Sequence, residues 1–318
     1  MDYLTYQLCL ILTLLMLFLV LMMLFSRSKR FRSFIQKIKS QLESLLDKII
    51  FPARSCNEYQ NISQQDLKVF SVVRKNVGEE IQNQRCNNIE LNRIVLYAYL
   101  RNDSFANTEY NVIYFHGNGE TIDEAAYFVR NLMKSLQFNA FLIEYPKYGI
   151  YKYTETSAKI ILEDSILAYE HIKDEYQLDE SKIFIFGRSI GTGPAIHVAS
   201  QKKCKGLIII SAFKSLKSLI REMVFGIGYL VSKFMDERFN NEENIKKIQC
   251  PALFIHGVDD TLIPSTHSIF LQKQLNNQNK ESRLELFPHM AHNNITEFNY
   301  EISEKISLNF RELSKAND

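Results

Sequence analysis

Along its hydrophobic and polar positions the chain falls into three stretches. Leu8 to Phe25 is an eighteen-residue apolar run interrupted only by Thr13. As a helix rising about 1.5 Å per residue it reaches roughly 27 Å, close to the hydrocarbon thickness of a bilayer. It is longer than a signal-peptide core of about 7–15 residues, no basic residue precedes it, and no Ala-x-Ala-like site follows. An uncleaved anchor is therefore preferred over a cleaved signal. Next, Phe31, Phe34, Ile35, Ile38, Leu42, Leu45 and Ile49 recur at helical spacing around Lys37, Lys39 and Glu43. Such a basic amphipathic helix can lie on an anionic leaflet or pack on a domain, and the pattern leaves both open. Pro52 ends it, and residues 51–63 read as a linker.

From about residue 64 the pattern changes to short β-branched and aromatic runs separated by longer segments of helical period. The runs are Leu67–Val73, Arg93–Leu100, Val112–Phe115, Ala140–Glu144, Ile183–Phe186, Leu207–Ile210, Ala252–Ile255 and Arg283–Phe287. Ala158–Lys173 and Gly191–Gln201 are the clearest helices. Strands alternating with helices predict an α/β fold, a mainly parallel sheet covered on both faces, with the first two runs as an antiparallel edge. Ser211–Phe239 has no strand character; its apolar residues, Leu216, Leu219, Ile220 and Met223 among them, fit one or two helical faces. They suit a small helical cap over an active site, or helices packed on the body; an apolar cap favours an acyl substrate. The predicted organisation is an anchor at 1–26, an amphipathic helix and linker at 27–62, and one α/β domain at 63–318 with the cap-like insertion at 211–239.

Charge sharpens this picture at one place. The 318 residues carry a formal charge of only +2, which points to no nucleic-acid partner. Residues 27–48, however, hold seven Lys/Arg against Glu43 and Asp47, whereas the rest of the chain after them is slightly acidic. Basic flanks stay cytoplasmic, so the expected topology is single-pass with the body in the cytosol and the lipid bilayer as a partner. The five cysteines are scattered and never in a Cys-x-x-Cys pair, which argues against a disulfide framework or a zinc site and for a reducing compartment.

Candidate chemistry sits at four strand ends. Ile183–Phe186 runs into Gly187-Arg188-Ser189-Ile190-Gly191 and then a helix. This is a Gly-x-Ser-x-Gly elbow, with Ser189 as nucleophile on a sharp turn and Gly187 and Gly191 removing side chains that would clash. Val112–Phe115 ends in His116-Gly117-Asn118-Gly119, where a backbone amide, taken as that of Asn118, would join that of Ile190 in an oxyanion hole. His116 itself reads as a residue that fixes this loop. Ala252–Ile255 ends in His256-Gly257-Val258-Asp259-Asp260, and Arg283–Phe287 in Pro288-His289-Met290-Ala291-His292. Nucleophile, acid and base thus follow in the order Ser, Asp, His. The residues alone leave Asp259 beside Asp260, and His289 beside His292. This chemistry requires no metal or cofactor.

FHGNGE at Phe115–Glu120, EYPKYG at Glu144–Gly149, FGRSIGTGPAIHVAS at Phe186–Ser200, CPALFIHGVDDTLIP at Cys250–Pro264 and His292-Asn293 resemble the α/β-hydrolase domain-containing protein 17 family and its sister, the domain-containing 13 or Bem46-like group. The resemblance covers about residues 50–315. It implies the α/β-hydrolase fold and a serine hydrolase, and the first group acts as protein depalmitoylases. Its His-Gly-x-x-Asp pattern puts the acid on Asp260; its Gly-x-Gly-His-Asn pattern puts the base on His292. Two features depart from it: His289 and Ala291 stand where the family has glycines, and the only cysteine near the N-terminus is Cys9, where the depalmitoylases carry a cluster. The expected substrate is an acylated protein or lipid.

Overall fold

A computed structural model describes residues 29–72, 93–103, 108–151, 156–223, 232 and 235–315. The predicted anchor at 1–26 lies outside these residues. Among them, no helix is long and apolar enough to cross a membrane.

Eight strands form one sheet: β1 Leu67–Val72, β2 Arg93–Leu100, β3 Tyr110–Phe115, β4 Phe138–Ile143, β5 Ile183–Arg188, β6 Gly206–Ile210, β7 Ala252–Gly257 and β8 Ser282–Phe287. Their spatial order is β1-β2-β4-β3-β5-β6-β7-β8. β2 is antiparallel to both neighbours, β1 and β4, and every later pairing is parallel. Among the described residues the helices are α1 Lys29–Ile50, α2 Ile122–Met133, α3 Ala158–Glu175, α4 Thr192–Gln201, α5 Leu216–Met223, the single turn α6 Asn241–Asn244, α7 Thr266–Asn276 and α8 Asn299–Lys315.

The central strands are apolar on both faces along most of their length because both faces of the sheet are covered. In β5, Ile183 and Ile185 enter one core with α3 and α4, while Phe184 and Phe186 enter the other with α2 and α8. β3 divides in the same way, Ile113 and Phe115 against Val112 and Tyr114. Period-2 alternation is therefore lost, as expected for a doubly covered parallel sheet. Local chemistry sets the helix starts: Thr121 and Glu124 form a reciprocal capping box on α2, and Ser157 caps α3.

α1 is docked on the domain. Arg238, buried at the junction, is ion-paired to Glu43 and to Asp47, the latter at 2.8 Å, and Lys39 pairs with Asp236 at 2.6 Å. Burial pushes the Asp47 carboxyl up and the Arg238 guanidinium opposes it. Lys39, Glu43, Asp47 and Ile50 share one helix face, so this face belongs to the body. The following residues, read as a linker, are also held: Phe51 is buried against Phe239, and the amides of Gln60, Asn61 and Ile62 all donate to the Asp123 carboxylate at 2.6–3.0 Å. Nothing in the local sequence pattern marks that capture, since Asp123 lies more than sixty residues away.

Candidate active site

β5 delivers Ser189 into a left-handed turn with φ +53. A side chain in that region costs about 1–2 kcal/mol, and such strain persists where the surroundings enforce it. The surroundings also explain the glycines. A Cβ at Gly187 would lie 2.4 Å from the Gly191 carbonyl oxygen, and one at Gly191 would lie 2.1 Å from that of Phe115. The elbow therefore presses directly on the end of β3, which carries the loop His116–Gly119. The helix α4 starts immediately after the turn, directing its free amides and positive dipole end to the serine.

Acid and base arrive from β7 and β8. Gly257 at the end of β7 approaches the Met290 carbonyl so closely that a Cβ there would be 1.9 Å from it. The amides of Val258 and Asp259 donate to the Phe287 and Met290 carbonyls at 2.9 and 3.1 Å, zipping the two loops together. This zip brings His292 Nε2 to 2.8 Å from Ser189 Oγ, and His292 Nδ1 to 2.8 Å from Asp260 Oδ2. Ser189 and Asp260 are buried and the His292 side chain is 10% exposed. The competing pair lies outside: Asp259 and His289 face each other at 3.7 Å with side chains 56% and 91% exposed. Of the open alternatives, the geometry unites Asp260 and His292 with Ser189.

Asp260 is built to stay ionised. Burial opposes its charge, but hydrogen bonds from His256 and His292, the His292 charge and the Ile263 amide outweigh it and hold the carboxyl well below the usual range. Oδ1 accepts from the Leu262 and Ile263 amides at 3.0 and 2.8 Å. Behind it, His256 is fully buried, bound to Ser268 Oγ at 2.6 Å and the Ile263 carbonyl at 2.8 Å.

His289 occupies φ +64, a conformation that suits glycine. The loop keeps its course because Asn294 accepts from the Ala291 amide at 2.8 Å and donates to the His289 carbonyl at 3.3 Å.

The sequence singled out neither Arg188 nor Glu120, and they link all three loops. Arg188 donates to Glu120 at 2.6 Å and to the His292 carbonyl at 3.3 Å, while Glu120 also accepts the Gly117 amide at 2.7 Å. Gly117's amide is thereby engaged within its own loop. The Asn118 side chain is committed too, donating to the Ile50 carbonyl at 2.7 Å and accepting from the Tyr148 hydroxyl at 2.8 Å. His116 is buried, with Glu144 Oε1 at 2.9 Å from Nε2 and the Gly117 carbonyl at 2.9 Å from Nδ1. Burial alone would lower its basicity, but Glu144 raises it, so both nitrogens act as donors and His116 is a loop fastener. The variable letter of the elbow motif and the last letter of FHGNGE were the signals for Arg188 and Glu120. Only their proximity gives those letters meaning.

The doubly covered sheet, with a Ser-His-Asp cluster at its strand ends, has the architecture of the α/β-hydrolase fold. By sequence the chain is similar to α/β-hydrolase domain-containing and Bem46-like proteins. It is 27% identical over 168 residues to the α/β-hydrolase domain-containing protein aho-3 of Caenorhabditis elegans, covering 53% of this chain and 48% of that one. It is 28% identical over 185 residues to protein bem46 of Schizosaccharomyces pombe, covering 57% and 61%. The α/β-hydrolase domain-containing protein 17C of Xenopus tropicalis matches at 25% identity, covering 52% of each. The chain thus spans about half to three fifths of the length of these relatives. Residues 153–310, which hold Ser189, Asp260 and His292, match the prolyl oligopeptidase family, peptidase S9. An esterase from Pyrococcus furiosus superposes with a TM-score of 0.59 at 18% identity, covering 82% of this chain and 97% of that one. An α/β-hydrolase from Vibrio vulnificus does so at 0.57 and 18%, covering 67% and 76%. At these identities the structural likeness establishes the fold.

Proposed function

We propose that the chain is a membrane-anchored serine hydrolase that cleaves an ester or thioester through Ser189, His292 and Asp260, with an acyl-protein thioester as substrate. The observation that carries the chemistry is the relay of two 2.8 Å contacts from Ser189 Oγ through the His292 imidazole to Asp260. His292 Nε2 takes the serine proton as Oγ attacks the carbonyl carbon. Asp260 keeps the opposite nitrogen protonated and stabilises the imidazolium that forms. The developing oxyanion rests on the backbone amides of Ile190 and Asn118. His292 returns its proton to the leaving group, and water, activated by the same imidazole, releases the acyl-enzyme.

Three features support acyl substrates at a membrane. The apolar run Leu8–Phe25 is long enough to span a bilayer, its basic flank keeps the body cytosolic, and the insertion 211–239 is rich in apolar residues. The sequence resemblance to the domain-containing 17 group favours a thioester over a lipid ester. Turnover of a palmitoyl-peptide thioester is compared with that of a monoacylglycerol by the full-length protein in liposomes. Faster thioester cleavage is expected, and exclusive glycerolipid cleavage would replace the thioesterase reading with a lipid esterase. A C-terminal reporter found in the lumen would overturn the cytosolic topology.

A further inference from the structure

Two thiols meet at the end of the sheet opposite the triad. Cys204 precedes β6 and Cys250 precedes β7, neighbouring parallel strands, so both lie at N-terminal strand ends. Their sulfur atoms are 3.3 Å apart although 46 positions separate them in sequence, with Cys204 donating to Cys250. Neither is in a disulfide; Cys250 is buried and Cys204 half-buried. A cavity of about 560 Å³ opens beside them, lined in part by both cysteines, Lys202, Lys203, Lys247 and Gln249. The hydrogen bond to Cys250 and burial push the Cys204 thiol well up. A disulfide needs a sulfur separation of about 2.05 Å, so closing the pair requires an approach of only about 1.3 Å.

We propose that Cys204 and Cys250 form a redox modification site, a dithiol that closes to a reversible disulfide when a hydroperoxide enters this cavity. In the first step one sulfur, as thiolate, attacks the peroxide and breaks its O–O bond. That sulfur loses two electrons to become a sulfenic acid, and the released hydroxide takes up the thiol proton as water. In the second step the neighbouring thiol attacks the sulfenic sulfur. The S–S bond forms, the S–O bond breaks, and the departing hydroxide leaves with the second thiol proton as water. Two thiols and one hydrogen peroxide thus give one disulfide and two waters, and an external thiol reverses the change by exchange. The new bond would tie the start of β6 to the residues before β7, enclosing α5 and α6 in the loop between them.

The full-length protein is treated with hydrogen peroxide, quenched, alkylated and digested, and its peptides are weighed. The expected product is a Cys204–Cys250 cross-linked peptide pair, lighter by two hydrogens than its separate parts and released by dithiothreitol. Its formation rate rises with pH, because the resting thiols must ionise. In Cys204→Ser and Cys250→Ser the pair is absent and the surviving cysteine is trapped by dimedone as a sulfenic acid. The wild-type measurement stands even where a serine variant folds poorly. Recovery of Cys204 and Cys250 only as separate alkylated or sulfinic peptides, under peroxide that oxidises Cys56, would overturn the proposal. A cross-link running instead to Cys9, Cys56 or Cys86 would do so too.

Discussion

Replacing Gly257 by alanine tests how the acid and base loops are held in register. A Cβ at this position would stand 1.9 Å from the Met290 carbonyl oxygen and 2.6 Å from its carbon, both backbone atoms. A tolerable carbon–oxygen contact is about 3.3 Å, so the loops must part by about 1.4 Å. The Asp260–His292 contact is 2.8 Å, and an added ångström takes it beyond hydrogen-bond reach. Misplacing catalytic groups by about 1 Å costs about 10²-fold in rate, and losing the orientation of the imidazole costs up to about 10⁴-fold. The expected fall in kcat/KM is therefore between about 10²- and 10⁴-fold, or about 3–5 kcal/mol of transition-state stabilisation. Overpacking lowers stability by only about 1–3 kcal/mol against a typical total of about 5–15 kcal/mol, so the variant folds. The control is Gly117→Ala, whose Cβ would have its nearest neighbours in the Arg188 and Glu120 side chains, at 3.4–3.5 Å. Ester hydrolysis is measured beside thermal melting for both variants. Gly257→Ala retaining activity within about threefold of wild type, or Gly117→Ala losing as much, would refute the reasoning.

Asp260→Asn should lower kcat/KM by about 10⁴-fold while Asp259→Asn changes it by less than about threefold, because only Asp260 binds the His292 imidazole; equal effects in the same hydrolysis assay would reverse the assignment. Arg238→Ala should destabilise the protein by about 3 kcal/mol, since it leaves Glu43 and Asp47 partly buried without their cation, and urea unfolding measures it. The His116 imidazole has a raised pKa when folded, so its contribution is complete below the ordinary value near 6.5 and fades as pH climbs through the folded value. Melting temperature should accordingly fall on going from neutral to alkaline pH, and His116→Gln should flatten that fall. His289→Gly should leave activity unchanged and stabilise by about 1 kcal/mol, by relieving the left-handed conformation; a loss of stability in thermal melts would contradict this.

Much of the architecture could be read from short-range pattern. Ile183–Phe186 announced a central strand because both sheet faces demand apolar residues there, and the elbow after it needs two glycines that any sequence must display. What escaped was whatever depends on distant partners. β5 runs on to Arg188 because the ladder with β6 continues to Ile210. α7 carries little apolar periodicity because it buries His267 and Ser268, which find Glu222 and His256 as partners. Residues 51–63 read as a linker because the carboxylate that captures their amides belongs to α2. At the site, the residues left two aspartates and two histidines open. Exposure separates them in the structure: one pair is buried beside Ser189 and the other faces water. The motif letters were legible; the Arg188–Glu120 link and the Asn118 tie to α1 required the folded chain.

The central claim is that Ser189 is an activated nucleophile. The most direct measurement is covalent labelling of the full-length protein by a fluorophosphonate probe, with Ser189→Ala alongside. Stoichiometric labelling of the wild type at Ser189 and none of the variant is predicted. A folded wild-type protein that stays unlabelled, or a Ser189→Ala variant that still labels, would contradict it.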